Sequence, residues 1–498
     1  MKTLEELASL VPGAAIQGEQ KMPIRGIEQD SRLVKEGTLF VCVPGVHVDG
    51  HDFIEQAVER GATAILTTRG DIAAPPGVAI LRVPELHEAL TAMVPYFYDY
   101  PGKAMRFIGI TGTNGKTTTS YLTRSILRRA GYKVGLIGTI QIMIEDESLV
   151  IHNTTPDVVE LQKTLALMRD RGMDYVVMEV SSHALDQNRV AGIEFDTAAF
   201  TNLTQDHLDY HHTLENYRQA KEKLFTLVSR SGEKASKTAV VNADDAAGKF
   251  MLAAASCRKL TYGLREAADL RGEKARVTAR GAAFDIVGEW KGVPIALPLN
   301  LKITGKFNVY NALTATGIAL AENIAPAVIK EALEAFTGVP GRFEQVDEGQ
   351  DFAVIVDYAH TPDGVENVLK TAREITPKRI ITVFGCGGDR DATKRPIMGR
   401  LAAEFSDVVI ATSDNPRTED PEEILRQVAV GVKEKIGDKH WELMTDRRSA
   451  IKRAVELAEA DDMVVILGKG HEDYQILKDR TIHFDDREEA REAIRGRK

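Results

Sequence analysis

The sequence predicts an α/β fold in which parallel sheets are covered by helices. Short runs rich in β-branched residues, such as GTLFVCVPG, RFIGITG and DYVVMEVSS, alternate with segments whose apolar residues recur at helical spacing. These runs are nearly continuously apolar, which is typical of strands buried on both faces of a parallel sheet. Most of them end in glycine or polar residues, and open α/β sheets bind ligands beyond the carboxyl ends of their strands. We therefore expect the functional residues along those edges.

Two breaks divide the chain into three predicted domains. At about 150 residues per domain, 498 residues suffice for roughly three. The first break is YDYPGKAMR at Tyr98–Arg106, where a proline and a glycine end a helical stretch, and the second is FTGVPGR at Phe336–Arg342. The predicted domains cover residues 1–103, 104–337 and 338–498.

Each predicted domain has its own set of strands. The first contains GTLFVCVPG, GATAILTT and GVAILRVP, with the helical segment HDFIEQAVERG between the first two. The second contains RFIGITG, DYVVMEVSS, DTAAFTNL, KTAVVNADD and RKLTYG. The third contains DFAVIVDYAH, KRIITVFGCGG, DVVIATSDNPR and DMVVILGKGHE. The alternation with helices predicts an α/β unit in each case.

Composition excludes several classes of protein. With 63 Lys and Arg against 73 Asp and Glu, the formal charge is −10, so no basic excess is available to bind nucleic acid. The three cysteines, Cys42, Cys257 and Cys386, follow no metal-binding spacing and fit a reducing compartment such as the cytoplasm. Glu5 and Glu6 stand where a signal peptide would be basic, and the apolar runs are shorter than the ~20 residues that cross a bilayer. We expect a cytoplasmic monomer that does not enter membranes.

The strongest local signal is ITGTNGKTTTS at Ile110–Ser120, where an apolar strand runs through a glycine-rich turn into a helix. Backbone amides of such a turn, the helix N-terminus and a lysine together bind phosphates, and a Thr hydroxyl can bind Mg²⁺. The first glycine of the usual pattern would fall at Ile110, so the loop is a variant form. The predicted ATP-binding residues of the loop are Gly112, Thr113, Asn114, Gly115, Lys116, Thr117 and Thr118, with Thr117 as a metal ligand.

Two further strand ends of the central domain carry candidate metal ligands. MEVSSH supplies Glu179, the acidic residue that a phosphate-loop site needs on a neighbouring strand. NLTQDHLDYHH supplies His207 as a metal or phosphate contact; zinc is the alternative, but Mg²⁺ prefers oxygen ligands with few imidazoles. The other acidic and imidazole groups of this segment are interpreted as structural: Asp206, Asp209, His211 and His212.

The following helix, LENYRQAKEKLFTLV, contains Lys221. From the residues alone it is a surface lysine whose aliphatic stem covers apolar neighbours.

The strands of the C-terminal third also end in polar clusters: DYAHTPDG, FGCGGDRD, SDNPRTED and GKGHE. Each of them alone is also compatible with a plain turn. Within DNPR, an aspartate and an arginine suit a zwitterion, since the carboxylate binds an ammonium group and the guanidinium binds a carboxylate. An amino acid is the predicted ligand.

In order along the chain, GTNGKTT, EVSSH, NLTQDHLDYH, GKFNVYNALTA, GVPGRFE, DYAHTPD and DNPR resemble the Mur ligases over nearly the whole length. The resemblance implies a small N-terminal domain that holds the UDP end of the substrate, a central P-loop ATPase-type domain and a C-terminal Rossmann-like domain that binds the incoming amino acid. It implies an ATP-dependent ligase that adds meso-diaminopimelate to UDP-MurNAc-L-Ala-D-Glu through an acyl phosphate, with Mg²⁺ as cofactor and ATP as co-substrate.

Site residues carried over from the resemblance fall into four groups. The UDP-substrate contacts are Ser31, Val46, His47, Val48, Asn153, Thr154, Thr155, Ser181, Gln187 and Arg189. Further nucleotide contacts are Asn308, Asn311, Arg342 and Asp357. The amino-acid contacts are Arg390, Asp414, Asn415, Pro416, Arg417, Gly468 and Glu472. Lys116, Lys221 and His207 are catalytic, and Lys221 joins Thr117, Glu179 and His207 as a metal ligand after carbamylation by CO₂.

Alternatives remain open at this point. A lysine-adding ligase is less favoured, because L-lysine has no second carboxylate for Arg417 to bind. A folylpolyglutamate synthetase-like ligase and a P-loop NTPase that forms no bond are the others. Asp157, which follows NTTP, has no interpretation from the sequence.

Overall fold

The computed structural model describes residues 2–44, 48–149, 153–230, 232, 234, 236–376 and 378–497. The chain forms two compact units, Met1–Lys116 with Leu127–Leu260 and Thr117–Ile126 with Thr261–Lys498. Both consist of sheets covered by helices, which confirms the predicted α/β class. In the described part of the chain, every helix is too short or too polar to cross a bilayer.

The N-terminal part of the first unit is a five-stranded sheet with the order β2-β7-β6-β5-β4, in which the last four strands are parallel. Leu39, Val41, Leu66 and Leu81 are among the apolar residues of its core. The elements are β1 (Lys2–Thr3), α1 (Leu4–Ala8), β2 (Ala15–Gln17), β3 (Pro23–Ile24), β4 (Gly26–Glu28), β5 (Thr38–Val41), α2 (Ile54–Glu59), β6 (Ala62–Thr67), β7 (Ala79–Arg82) and α3 (Leu86–Phe97), with 3₁₀ turns at Ser31–Leu33, Gly50–Phe53 and Pro101–Lys103.

The rest of the first unit contains a sheet with the order β11-β10-β9-β12-β8-β13-β14, whose last five strands are parallel. Helix α5 begins at Val158, and the carboxylate of the preceding Asp157 accepts from the amides of Val159 and Glu160, so Asp157 is the helix cap. Along the chain the elements are β8 (Arg106–Thr111), α4 (Lys116–Arg129), β9 (Val134–Ile137), β10 (Ile142–Ile144), β11 (Glu147–Leu149), α5 (Val158–Asp170), β12 (Tyr175–Glu179), α6 (Ser182–Asp186), β13 (Thr197–Phe200), α7 (Leu208–His211), α8 (Leu214–Ser229), β14 (Thr238–Asn242), α9 (Gly248–Ala254) and β15 (Arg258–Gly263). Most of α4 and the second half of β15 belong to the second unit.

The long segment of the second unit, from Thr261 onward, starts with antiparallel strands. The sequence predicted parallel sheets and did not indicate these strands. Here polar and buried residues alternate, as in a sheet with one wet face. The elements are β16 (Leu270–Thr278), β17 (Gly281–Trp290), β18 (Val293–Leu301), α10 (Lys306–Ala321) and α11 (Pro326–Ala335).

The C-terminal sheet has the order β19-β20-β24-β21-β22-β23, parallel except for β19, and helices pack on both faces. Its elements are β19 (Glu344–Gln345), β20 (Ala353–Asp357), α12 (Pro362–Ile375), β21 (Ile380–Cys386), α13 (Lys394–Phe405), β22 (Val408–Ser413), α14 (Pro421–Lys435), β23 (His440–Met444), α15 (Arg447–Leu457), β24 (Met463–Leu467), β25 (Tyr474–Ile476), β26 (Thr481–His483) and α16 (Asp486–Arg497).

Candidate active site

The phosphate loop follows β8 along the chain and ends at Lys116, where α4 begins. Gly112 has a φ of 147°, and a Cβ there would lie 1.9 Å from Thr201 Oγ1, so only glycine fits. The Asn202 carbonyl accepts from the Thr113 amide at 2.8 Å, and its side chain accepts from the Asn114 amide at 2.9 Å. The loop is therefore held in a fixed conformation by the end of β13.

Lys116 is the first residue of α4. Its Nζ donates to the carbonyls of Gly112 at 3.0 Å and Thr113 at 2.8 Å, so the ammonium group lies over the loop. A phosphate bound by the loop would therefore lie beside a positive charge. Thr117 and Thr118 follow in the same helix.

Lys221 is buried rather than on the surface. On α8 it shares an apolar face with Tyr217, Leu224 and Phe225, and its side chain is 1% exposed. Its Nζ donates to Gly112 O at 2.9 Å and lies 4.3 Å from the centre of the Tyr217 ring. Burial first, and the Lys116 charge second, lower the pKa of Lys221 well below its usual range, which favours a neutral amine. The surface reading of Lys221 is wrong because the helical period places it on the buried stripe.

Glu179 ends β12 and is fully buried. Its Oε1 accepts from the Thr139 amide and its Oε2 from the Thr139 hydroxyl, both at 2.9 Å. The Thr155 hydroxyl donates to the Glu179 carbonyl at 2.8 Å and accepts from the Ser181 amide at 3.1 Å, so it joins the end of β12 to the start of α6.

The other residues predicted to contact the UDP substrate extend this network. The Thr154 hydroxyl lies 3.2 Å from that of Thr139, and Arg189 donates to the Thr155 carbonyl at 3.0 Å and to Gln187 Oε1 at 2.9 Å. The structure thus brings five predicted substrate residues together around the end of β12: Thr154, Thr155, Ser181, Gln187 and Arg189. Asn153 is exposed beside them in the sequence.

Two of the residues predicted to contact the uridine end of the substrate, Ser31 and Val48, lie in the described part of the chain. Ser31 is buried and donates to Gln56 Oε1 at 2.6 Å. Val48 is 58% exposed. Val46 and His47 lie outside the described residues.

His207 precedes α7 with a left-handed φ of 52° and a side chain that is 45% exposed. Its ring lies 4.9 Å from that of His183 and 5.9 Å from that of Tyr217, centre to centre. His211, by contrast, is buried, and its Nε2 lies 2.9 Å from the Ser182 hydroxyl. Burial lowers the pKa values of both His183 and His211. Within the described residues, no three His, Cys, Asp or Glu side chains form a cluster that could hold a metal.

In the second unit, the predicted nucleotide contacts are polar and mostly buried. Asn311 Nδ2 donates to Asn308 Oδ1 at 2.9 Å, and Asn308 Nδ2 donates to the Thr304 carbonyl at 2.7 Å. Asp357, at the end of β20, accepts from the amides of Phe343 and Ala359, yet burial raises the pKa of its carboxyl. Arg342 lies 5.5 Å from the centre of the Tyr358 ring.

The predicted amino-acid residues meet where β21, β22 and β24 end. Asp414 and Asn415 follow β22 and are buried, and Asn415 Nδ2 donates to Glu472 Oε2 at 3.1 Å. Gly468 follows β24 with a φ of 121°, and a Cβ there would lie 2.5 Å from Asp414 Oδ2. Arg417 has a left-handed φ of 53°. These neighbours form a compact charged cluster.

Arg417 and Arg390 supply the positive charges of this edge. Arg417 Nη1 donates to the carbonyls of Gly388 at 2.8 Å and Asn415 at 3.4 Å. Arg390 is exposed, and its Nη1 donates to the Asp389 carbonyl at 3.0 Å. Pro416 stands between Asn415 and Arg417 in the same turn. Sequence reasoning did not select Lys469, which the structure places inside the cluster. Its place in GKGHE, between Gly468 and Glu472, was the available signal.

Fold and site together define an α/β phosphate-loop protein with a charged cluster of side chains at a second set of strand ends. Three family models match the chain: "Mur ligase family, catalytic domain" over residues 23–98, "Mur ligase middle domain" over 110–319, and "Mur ligase, glutamate ligase domain" over 341–470. The chain belongs to the Mur ligase family.

Curated relatives match over the full length. A protein of Geobacillus thermodenitrificans is 47% identical over 496 residues, covering 99% of this chain and 100% of the relative. One from Clostridium botulinum is 48% identical over 481 residues, covering 96% of each chain. Both are named UDP-N-acetylmuramoyl-L-alanyl-D-glutamate--2,6-diaminopimelate ligase.

Solved structures share the fold. One titled with the same ligase name has a TM-score of 0.70 at 32% identity and covers 100% of this chain and 99% of its own. A MurF ligase from Thermotoga maritima in complex with ADP has a TM-score of 0.62 at 18% identity, covering 96% and 99% of the two chains.

Proposed function

We propose that this chain is an ATP-dependent ligase that joins meso-2,6-diaminopimelate to UDP-MurNAc-L-Ala-D-Glu in peptidoglycan synthesis. The observation that carries the proposal is the charged cluster at the ends of β21, β22 and β24, where Arg417, Asp414 and Glu472 each hydrogen-bond to Asn415, in a chain that also has a phosphate loop. The names of the full-length relatives support the same reaction.

The reaction requires an activated carboxylate. The γ-carboxylate of D-Glu attacks the γ-phosphorus of ATP, the bond to the β-phosphate oxygen breaks, and ADP leaves. The amine of diaminopimelate then attacks the acyl carbon, the amide forms, phosphate leaves, and the amine gives up its proton. Phosphorylation converts a poor electrophile into one with a good leaving group.

In the first unit, Lys116 and the amides of residues 112–115 would hold the phosphates and stabilise the charge that develops during transfer. The network around Thr155, Ser181 and Arg189 would orient the peptide of the acceptor, while Ser31 and the segment at Val48 would contact its UDP end. In the second unit, Asn308, Asn311, Arg342 and Asp357 are proposed nucleotide contacts. These assignments give residues 1–103, 104–337 and 338–498 the roles of UDP-substrate, ATP and amino-acid domains.

Mg²⁺ is a proposed cofactor, and the donor chemistry fits it. The buried Glu179 carboxylate, which accepts from the amide and hydroxyl of Thr139, offers oxygen donors, and Thr117 would add a hydroxyl. His207 adds an imidazole, and Lys221 would add an oxygen donor only as a carbamate. A neutral, buried amine is the form that reacts with CO₂, and the burial of Lys221 favours that form. When bound, the ion would neutralise charge between the nucleotide and the acceptor carboxylate.

Amino-acid selection would rest on charge matching. The second amino-acid terminus of meso-diaminopimelate has a carboxylate that Arg417 can bind, whereas L-lysine has only an ammonium group there. Asp414 and Glu472 would receive ammonium groups. The place of action proposed is the cytoplasm, where the nucleotide substrates and reduced thiols are found.

Phosphate release tests this function. Purified protein is incubated with ATP, Mg²⁺ and UDP-MurNAc-L-Ala-D-Glu, together with meso-diaminopimelate, L-lysine or no amino acid. The proposal expects release that depends on diaminopimelate. Release that depends on L-lysine instead would support a ligase but overturn the proposed role of Arg417. Release that depends on neither the UDP-linked acceptor nor the amino acid would indicate an NTPase.

A further inference from the structure

Lys469 is a fully buried lysine in the turn after β24, with an exposed fraction of 0%. Its Nζ lies 3.1 Å from Asn415 Oδ1 and 3.2 Å from Glu472 Oε2. The ammonium group is also 5.4 Å from the centre of the Tyr474 ring. Burying an ammonium group is costly unless the charge is paired and hydrogen-bonded, and both partners here belong to the proposed amino-acid site.

The three side chains form a closed polar ring. Asn415 Oδ1 accepts from Lys469 and from the Ile476 amide at 3.0 Å, while its Nδ2 donates to Glu472 Oε2 at 3.1 Å. The two donors on one side and the carboxylate on the other fix which end of the Asn415 amide is the oxygen. Glu472 Oε2 receives both Lys469 and Asn415, so this oxygen is anchored.

A glutamate side chain on a turn has several accessible rotamers, and each would direct its charge differently. Lys469 approaches Glu472 from the buried side, since its own side chain has no exposed surface, whereas Glu472 itself is 17% exposed in its side chain. The lysine therefore holds the carboxylate from behind and leaves its accessible part for a ligand.

We propose that Lys469 is a positioning residue of the amino-acid site, which orients Asn415 and Glu472 so that the Glu472 carboxylate receives an ammonium group of the incoming diamino acid. The inference rests on the proposed function. Lys469 does not contact the reacting atoms in this account, and its effect passes through Glu472.

The first test is the substitution Lys469→Met, which keeps the length of the side chain and removes the charge. We expect the KM for meso-diaminopimelate to rise at least about tenfold, with the KM values for ATP and UDP-MurNAc-L-Ala-D-Glu within about twofold of the wild-type values. Lys439→Met is the control for losing a hydrogen-bonded lysine elsewhere in the same unit, because that exposed lysine donates to the carbonyls of Ala403 and Ser406. Equal effects on all three KM values would overturn the proposal.

A double-mutant cycle separates positioning from general stability. If Lys469 acts through Glu472, Lys469→Met should change the KM for diaminopimelate by less than about twofold in a Glu472→Gln background. An undiminished effect there would contradict the proposal. Lys469→Gln, which keeps a donor without charge, replaces the Met variant if that one does not fold, and failure of both to fold would identify Lys469 as a folding residue and also overturn the proposal. Wild-type protein that does not use diaminopimelate would instead refute the proposed function.

Discussion

Lys221 and Lys469 are both buried lysines beside a predicted ligand site, yet their surroundings differ in kind. Lys221 in the first unit donates to a backbone carbonyl, that of Gly112, and lies against the Tyr217 ring. Lys469 in the second unit is paired with the carboxylate of Glu472. Burial disfavours the charged form of an amine, while a nearby carboxylate restores it.

The difference shows how one residue type serves two kinds of chemistry. A lysine without a close carboxylate in its hydrogen bonds is driven toward the neutral amine, which is a nucleophile. A lysine paired with a glutamate can instead hold that carboxylate in place. Lys116→Ala and Lys221→Met test the surroundings of the phosphate loop, and Arg417→Ala tests the proposed amino-acid site.

The largest effect is expected for Lys116→Ala in the phosphate loop. Loss of the ammonium group over Gly112 and Thr113 removes the charge that would stabilise the transferring phosphoryl group. ATP-dependent turnover should fall by about 10³-fold or more, with little change in the melting temperature. Wild-type turnover in this variant would exclude the loop as the phosphate site.

In the second region, Arg417→Ala should act on the amino acid alone. We expect the KM for meso-diaminopimelate to rise about tenfold or more, because the guanidinium proposed to bind its second carboxylate is removed, and the KM for ATP to stay within about twofold. Steady-state kinetics with each substrate varied measures both values. A parallel rise in both would remove Arg417 as the selecting residue.

The low pKa of Lys221 predicts a pH-dependent stability. Unfolded lysine stays protonated up to its ordinary pKa of 10.5, whereas native Lys221 loses its proton at lower pH, so the unfolded state binds more protons between the two values. The wild-type free energy of unfolding therefore gains up to about 1.4 kcal/mol per pH unit there, relative to Lys221→Met.

Thermal unfolding of the wild type and of Lys221→Met at pH 7 and pH 9.5 measures this gain. The melting temperature of the wild type minus that of the variant should be larger at pH 9.5 than at pH 7. Lys439→Met, which changes an exposed lysine, is the control and should show no such trend. A constant difference between wild type and Lys221→Met would mean that Lys221 is charged in the folded protein.

The smallest effect is expected for Asp157→Ala at the start of α5. Loss of the side-chain acceptor for the Val159 and Glu160 amides should cost about 1 kcal/mol and lower the melting temperature by about 2 °C. Asp157→Asn, which keeps an acceptor, should retain most of the stability. An unchanged Asp157→Ala variant would show that the cap contributes nothing measurable.

The strands that carry the sites were predictable because their apolar runs are long and end in polar residues. GTLFVCVPG contains β5 and DVVIATSDNPR contains β22, for example. The antiparallel segment β16–β18 was not predicted. The alternation of polar and apolar residues along β17 and β18 indicates such strands, but it was not distinguished from the helical spacing of neighbouring segments.

At the sites, two signals were present but not used. Tyr217, Lys221, Leu224 and Val228 recur at helical spacing, which already places Lys221 on the apolar stripe of α8. Asp157 stands three residues before Glu160 at the start of a helix, the pattern of an N-terminal cap.

The ring formed by Lys469, Asn415 and Glu472 could not be found from helical spacing or from a capping pattern. It depends on the order β24-β21-β22 in the sheet, which brings together turns that are more than fifty residues apart in the chain. No local pattern encodes that neighbourhood, and it becomes visible only when the crossover connections are known.

In the proposed reaction, the phosphate-loop site activates a carboxylate by phosphorylation, and the amino-acid site supplies the attacking amine. The most direct test uses UDP-MurNAc-L-Ala-D-Glu labelled with ¹⁸O in the γ-carboxylate, with ATP and meso-diaminopimelate, and analyses the released phosphate by mass spectrometry. The account predicts that each phosphate carries one oxygen from the labelled carboxylate. Phosphate without the label, released while the amide forms, would contradict it.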